Sequence, residues 1–220
     1  VDEDGRDEII IGYAAAVSPF RRVRYSPAFG RMVVDLSAPP PYQYQDAINS
    51  QLSLVTTLTP GGPHKAITWL EHSVAIYDVN SGRLERLSDP TGFDWPQPVC
   101  AIDLNGDGNK EIIARDGIAF RAMNTTLTRE LGRTFIAQGI SPEPGVVCAN
   151  LDSDAAIEVA VENGDIYEFD GYRLRRQGSV ANTANGYPMR YVGSADLDGD
   201  GNEELVVAYE GLVRAYNIET

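Results

Sequence analysis

The residues best placed to do chemistry are carboxylates at a fixed spacing. In Asp196-x-Asp198-x-Asp200-Gly201-x-x-Glu204 they stand at positions 1, 3, 5 and 9 of a nine-residue run. With the backbone carbonyl of Asn202 at position 7, these oxygens can converge on one point, and glycine at position 6 permits the sharp bend. All-oxygen coordination of that number favours calcium over zinc or copper, and over magnesium, which keeps more of its waters. Two further segments repeat the run: Asp103-x-Asn105-x-Asp107-Gly108-x-x-Glu111 and Asn150-x-Asp152-x-Asp154-Ala155-x-x-Glu158. The opening Asp2-x-Asp4-Gly5-x-x-Glu8 is the same unit with its first position cut off. An EF-hand is excluded, because position 12, which would need a bidentate acid, is Val207 in one loop and Ala114 in another.

Each loop runs straight into an apolar strand, such as Leu205-Val206-Val207-Ala208. A fifth copy is degenerate: Lys65 takes the ninth position, and the loop before it offers only Thr57, Thr59 and Gly61, so it should hold no ion. The Lys65 ammonium is expected to fill part of the volume that a cation takes elsewhere. Anchored on the ninth position, the units fall at residues 8, 65, 111, 158 and 204, with spacings of 57, 46, 47 and 46. Regular spacing of this kind marks a repeat architecture. In the third unit the pattern predicts four strands, Pro98 to Ile102, Glu111 to Arg115, Ile118 to Met123 and Leu127 to Leu131, with acidic-glycine turns between them. No segment shows a capped 3.6-residue period. The expected fold is therefore all-β, a β-propeller of about five repeats of 46–57 residues, each a four-stranded antiparallel blade. The units lie at about 1–50, 51–97, 98–144, 145–190 and 191–220, in one domain or a propeller fragment. The first would lack its first strand and the last its fourth, so that more sequence or another chain would complete the ring.

The loop followed by an apolar strand resembles the FG-GAP or VCBS-type repeat of integrin-α-like β-propellers, over essentially the whole chain. The resemblance implies two to four Ca2+ ions. Their ligands would be Asp103, Asn105, Asp107, the Asn109 carbonyl and Glu111; Asn150, Asp152, Asp154, the Ala156 carbonyl and Glu158; and Asp196, Asp198, Asp200, the Asn202 carbonyl and Glu204, with Asp2, Asp4 and Glu8 as an incomplete fourth set. In the family such ions staple the hairpin between the first two strands, opposite the usual ligand-binding face. Two departures stand out: the Gly-Ala-Pro element is absent, and Ala155 replaces the usual glycine.

On the opposite face would lie the connections between units, which carry Tyr42, Tyr44, Phe93, Trp95 and Tyr187. These aromatics either contact a ligand or pack between blades. At the first connection the period stretches to 57 against 46, about 11 extra residues, and this insertion is the leading candidate for a partner-binding element. The formal charge of −14 excludes nucleic acid and an anionic membrane surface as partners. The longest apolar stretch, Ile9 to Val17, falls short of the roughly 20 residues that span a bilayer, so no membrane insertion is expected. No basic start leads into a signal-peptide core, which suits a mature form or a fragment. Only two histidines occur, with no nucleophile elbow, P-loop or dinucleotide fingerprint. Cys100 and Cys148 are too few for a disulfide scaffold and read as inert packing groups in apolar first strands, which leaves the redox compartment open. The leading reading is a non-enzymatic, calcium-stabilised recognition or adhesion module, extracellular or at the cell surface, that binds protein or carbohydrate. A structural subunit and a polysaccharide-acting enzyme are the alternatives.

Overall fold

The computed structural model describes residues 9–15, 18–26, 31–34, 52–70, 72–80, 83–89, 96–117, 119–135, 146–161, 164–171, 173–180, 190–209 and 212–218. These form eighteen strands in five antiparallel sheets, with no helix among the described residues. The first sheet joins β1 (Ile9–Ala15), β2 (Ser18–Ser26) and β3 (Arg31–Val34). The second is β4 (Leu52–Thr57), β5 (His64–Leu70), β6 (Ser73–Asp78) and β7 (Leu84–Leu87), and the third β8 (Pro96–Ile102), β9 (Glu111–Asp116), β10 (Ala119–Met123) and β11 (Glu130–Phe135). The fourth is β12 (Val146–Ala149), β13 (Glu158–Val161), β14 (Asp165–Phe169) and β15 (Leu174–Ser179), and the last β16 (Arg190–Ala195), β17 (Glu204–Tyr209) and β18 (Leu212–Tyr216). Each sheet is a meander of neighbouring strands, and the sheets carry three, four, four, four and three strands, as the repeat arithmetic requires.

The apolar runs without alternation explain the order of burial. In the four-stranded sheets the second and third strands are mostly covered, so β10 is buried throughout and β9 except at Asp116, whereas β7 is mostly exposed, as is β18 in the three-stranded last sheet. The chain divides into two compact units, Val1–Pro98 with Thr125–Thr128, and Val99–Asn124 with Arg129–Thr220. In the first, Ala66, Leu70, Ala75, Tyr77 and Val79 form a core with Val55 and Leu84 against it. In the second, β12 lies beside β16 and β11 beside β15, so equivalent strands of successive sheets face each other. The Thr134 hydroxyl on β11 donates to the Leu174 carbonyl on β15 at 2.6 Å, a hydrogen bond between sheets.

Two expectations need correction. The fourth strand of the third unit is Glu130–Phe135, not Leu127 to Leu131. The turn before it is longer than a hairpin: Asn124 N–H donates to the Arg129 carbonyl at 3.0 Å, and Arg129 N–H donates back to Asn124 Oδ1 at 3.0 Å. Leu127 sits inside that turn at φ 60°, its side chain 2% exposed, so burial of the leucine holds a backbone conformation that L-residues otherwise avoid. The cysteines, in turn, are not free thiols. Cys100 on β8 and Cys148 on β12 form a disulfide, with Cα atoms 6.3 Å apart and a separation of 48 positions in sequence. They stand at near-equivalent places in successive repeats, and the spacing in sequence hid a pairing that the stacking of first strands brings about.

The disulfide closes a long loop, and the chain-entropy model assigns such a cross-link about 4 kcal/mol. Native-state thiol titration should find no free thiol, and Cys100→Ser with Cys148→Ser should lower unfolding stability by roughly 2–4 kcal/mol in urea melts. A free thiol in the oxidised protein would contradict the pairing.

Candidate metal centres

The three intact loops share one scheme of internal hydrogen bonds, and the ninth-position glutamate is its centre. Each glutamate opens the second strand of its sheet and turns its carboxylate back into the loop. Glu111 Oε2 accepts from Leu104 N–H at 3.0 Å, Glu158 Oε2 from Leu151 N–H at 2.7 Å, and Glu204 Oε2 from Leu197 N–H at 2.7 Å. All three are buried, at 2%, 1% and 6% exposure. The fifth position caps the seventh: Asp107, Asp154 and Asp200 accept from the N–H of Asn109, Ala156 and Asn202 at 2.7, 2.7 and 2.8 Å. The third position caps the fifth in the same way, from Asn105, Asp152 and Asp198.

The first position separates the loops. Asp196 accepts from Gly199 N–H at 2.6 Å and Gly201 N–H at 3.2 Å, and Asp103 from Gly106 and Gly108, each at 2.8 Å. To turn those N–H groups inward the backbone takes φ of 83° at Gly199 and 97° at Gly201, where any side chain would be strained. The Asn150 loop has Ser153 and Ala155 at these places, and neither has positive φ, Leu127 being the one non-glycine with that conformation among the described residues. Its backbone therefore does not wrap round position 1, and Asn150 Oδ1 is buried with no hydrogen-bond partner among the described residues.

Two loops leave a glutamate oxygen in the same state. Glu158 Oε1 and Glu204 Oε1 are buried and without a hydrogen-bond partner among the described residues. Around them converge Asp152 with Asp154, and Asp196 with Asp198, each trio having oxygens within 4.8 Å of one another. A buried carboxylate oxygen facing other carboxylates is unfavourable unless a cation neutralises the group. The donor set of hard oxygens fits a divalent ion such as calcium. In the 103–111 loop the corresponding Glu111 Oε1 accepts from the Asn105 side-chain amide at 3.2 Å, so an internal donor satisfies it. The charge balance follows. Burial pushes the Glu158 carboxyl up to about 7, against the Leu151 hydrogen bond, with Asp152, Asp154 and Glu168 adding repulsion. Glu111 is also raised, by burial and by Asp107 and Asp103. Asp103 moves the other way: burial would raise it, but the N–H groups of Gly108, Gly106, Asn105 and Asp107 together hold it below the usual range.

The second unit departs from what its sequence suggested. The Lys65 ammonium does not lie in the loop but is taken across the sheet by Asp78 at 3.1 Å and Glu85 at 2.8 Å. Asp78 is the cross-strand neighbour of Lys65 in the ladder, and that pairing directs the side chain. The fourth sheet places Glu158 opposite Glu168 at the equivalent point, a like-charge pair. Asp2, Asp4 and Glu8 lie outside the described residues, as do Tyr42, Tyr44, Phe93, Trp95 and Tyr187. Asp200 lies in its loop but outside the converging trio. Reading the carboxylates alone missed the leucine at position 2, whose N–H anchors the glutamate. Its signal was visible, since Leu104, Leu151 and Leu197 recur at that place.

No family model and no curated protein matches the sequence. Solved structures do. BBS1N, crystallised in complex with ARL6DN, superposes on 97% of this chain with a TM-score of 0.54 at 12% identity, and BamB from Moraxella catarrhalis on 95% with a TM-score of 0.51 at 13% identity. The chain spans 74% and 60% of those two chains. Both are β-propeller proteins, and the present chain has that fold.

Glu158 also yields a pH signature. A carboxyl near 4.5 when unfolded and near 7 when folded takes up a proton on folding between those values. Stability without metal should therefore fall as pH rises from about 5 to about 7.5, above the range in which Asp103 titrates. Urea melts in chelator-treated buffer should show this slope, and Glu158→Gln should flatten it. A slope unchanged by the substitution would assign it to other groups.

Proposed function

We propose that the chain is a calcium-stabilised β-propeller of the FG-GAP or VCBS type, serving outside the cytoplasm as a recognition or assembly module for a protein partner. One observation carries the cation half: buried, unpartnered Glu158 Oε1 and Glu204 Oε1 point into loops of further carboxylates. Asp152, Asp154, Glu158 and Asn150 Oδ1 would hold one ion, Asp196, Asp198, Asp200 and Glu204 another, and Asp103, Asp107, Glu111 and Asn105 a third, the last after rotation of the Asn105 amide. The bound ion supplies positive charge that cross-links each loop. The chain's own groups supply the rest: the backbone N–H groups hold every carboxylate in place, and the glutamate ties the loop to the start of the second strand.

The Cys100–Cys148 disulfide supports an extracellular or cell-surface location, since such bonds persist in oxidising compartments. Calcium sites of extracellular modules work in the range of 10⁻⁴ to 10⁻³ M, which suits the same place. Support for a protein partner comes from the strongly acidic charge, from the five aromatic residues carried by the connections between units, and from BBS1N having been crystallised with a second protein. A glycan array on the calcium-loaded protein is expected to stay blank. A saccharide-specific signal would replace protein by carbohydrate as the ligand class.

The cation reading is tested by thermal melts. At a 100-fold excess over Kd, one ion that binds only the folded state adds about 2.7 kcal/mol, or roughly 5–10 °C in Tm for a chain of this size. Calcium should raise Tm by at least that much over chelator, and Asp200→Ala should remove a large part of the rise. Identical melts with calcium and with chelator would leave the loops as solvated turns.

A further inference from the structure

The loops 150–158 and 196–204 belong to successive sheets, yet the hydrogen bonds and the core tie them together. Glu203 N–H donates to the Asn150 carbonyl at 2.9 Å. Asn150 is position 1 of one loop, and Glu203 immediately precedes Glu204, position 9 of the other. The second tie is apolar. Leu151, fully buried, shares a core cluster with Leu205 and Val207, which follow Glu204 on β17. Leu151 is also the residue whose N–H holds Glu158 at 2.7 Å. A rigid path therefore runs from the Glu158 carboxylate through the Leu151 backbone and side chain to Leu205, beside the Glu204 carboxylate.

We propose that these two loops take up their cations cooperatively, occupation of either one raising the affinity of the other. The proposal rests on the cation reading above and goes beyond it by assigning coupling between sites. Three buried oxygens, Asn150 Oδ1, Glu158 Oε1 and Glu204 Oε1, have no hydrogen-bond partner among the described residues, so each loop is poised but electrostatically strained without an ion. An ion at Glu204 fixes the start of β17, and with it the Glu203 N–H and Leu205. Those groups hold Asn150 and Leu151, so the second ion meets a loop whose first ligand is already ordered. The loop needs this help, because it lacks the glycines that let the other two wrap their first residue. Leu197, the counterpart of Leu151, is 60% exposed. Leu104 is only partly buried, against the cluster that holds Val159. Of the three leucines, Leu151 is therefore the one that is fully buried between its own loop and the next sheet.

The test is a calcium titration of the full chain, labelled with nitrogen-15 and followed by NMR at the Ala156 amide for one loop and the Gly201 amide for the other. In the wild type the two signals should share one midpoint. Glu204→Gln should move the Ala156 midpoint to at least about five-fold higher calcium, and Glu158→Gln should move the Gly201 midpoint by the same factor, because binding linkage is reciprocal. Leu151→Ala, which leaves every ligand in place, should separate the two wild-type midpoints. If Glu204→Gln fails to fold, Asp198→Asn removes a ligand charge while leaving the Glu204 contact to Leu197, and the same shift is expected. A midpoint that stays in place or moves to lower calcium when the other loop is disabled would overturn the coupling and leave two independent or repelling sites. If neither amide responds to calcium in the wild type, the cation reading falls and the coupling with it.

Discussion

One hydrogen bond recurs in all three of the described acidic loops: a buried glutamate carboxylate at the start of a second strand accepts the N–H of the leucine at the loop's second position. Burying an ionised carboxylate is costly, and the backbone donor recovers only part of that cost. The remainder decides everything around it. Each Asx-type bond along the loop turns another oxygen or N–H toward the same point, and the geometry converges on a charge that the chain does not itself provide in two of the three loops. In the 150–158 loop the leucine then carries this local constraint outward, because the side chain of Leu151 shares a core with Leu205 and Val207 of the next sheet.

Comparison among the loops shows how single residues tune it. Asn105 turns its amide toward Glu111 and satisfies the oxygen left open in the other loops. Ala155, in place of glycine, keeps the backbone away from Asn150. Glu168, opposite Glu158, adds repulsion that pushes the glutamate toward its protonated form. None of these changes disturbs the antiparallel ladders, because the strands draw their stability from apolar residues covered on both faces.

Much of this was legible in the sequence. The spacing of ninth positions gave the sheets, their strand numbers and the loops, since a period of 46 or 47 residues leaves room for little besides four strands and their turns. What stayed hidden depends on contacts distant in the chain. The Cys100–Cys148 bond needs the first strands of successive sheets side by side, which no spacing announces. The Asn124–Arg129 turn displaced a strand because Leu127 is buried in a left-handed conformation, an outcome of packing rather than propensity. Lys65 looked like an occupant of its loop, and cross-strand pairing with Asp78 drew it elsewhere.

The Lys65 site also shows how the charge at the ninth position can be balanced within the chain. Where the fourth and fifth units place a glutamate with one oxygen left without a partner among the described residues, the second unit places a lysine whose charge is met by Asp78 and Glu85 of the same sheet. Because the Lys65 contacts close within their own sheet, such an exchange can arise in that unit without rebuilding the others. Charge balance in this fold is thus set unit by unit, and a substitution at one ninth position changes the electrostatics of its own sheet first.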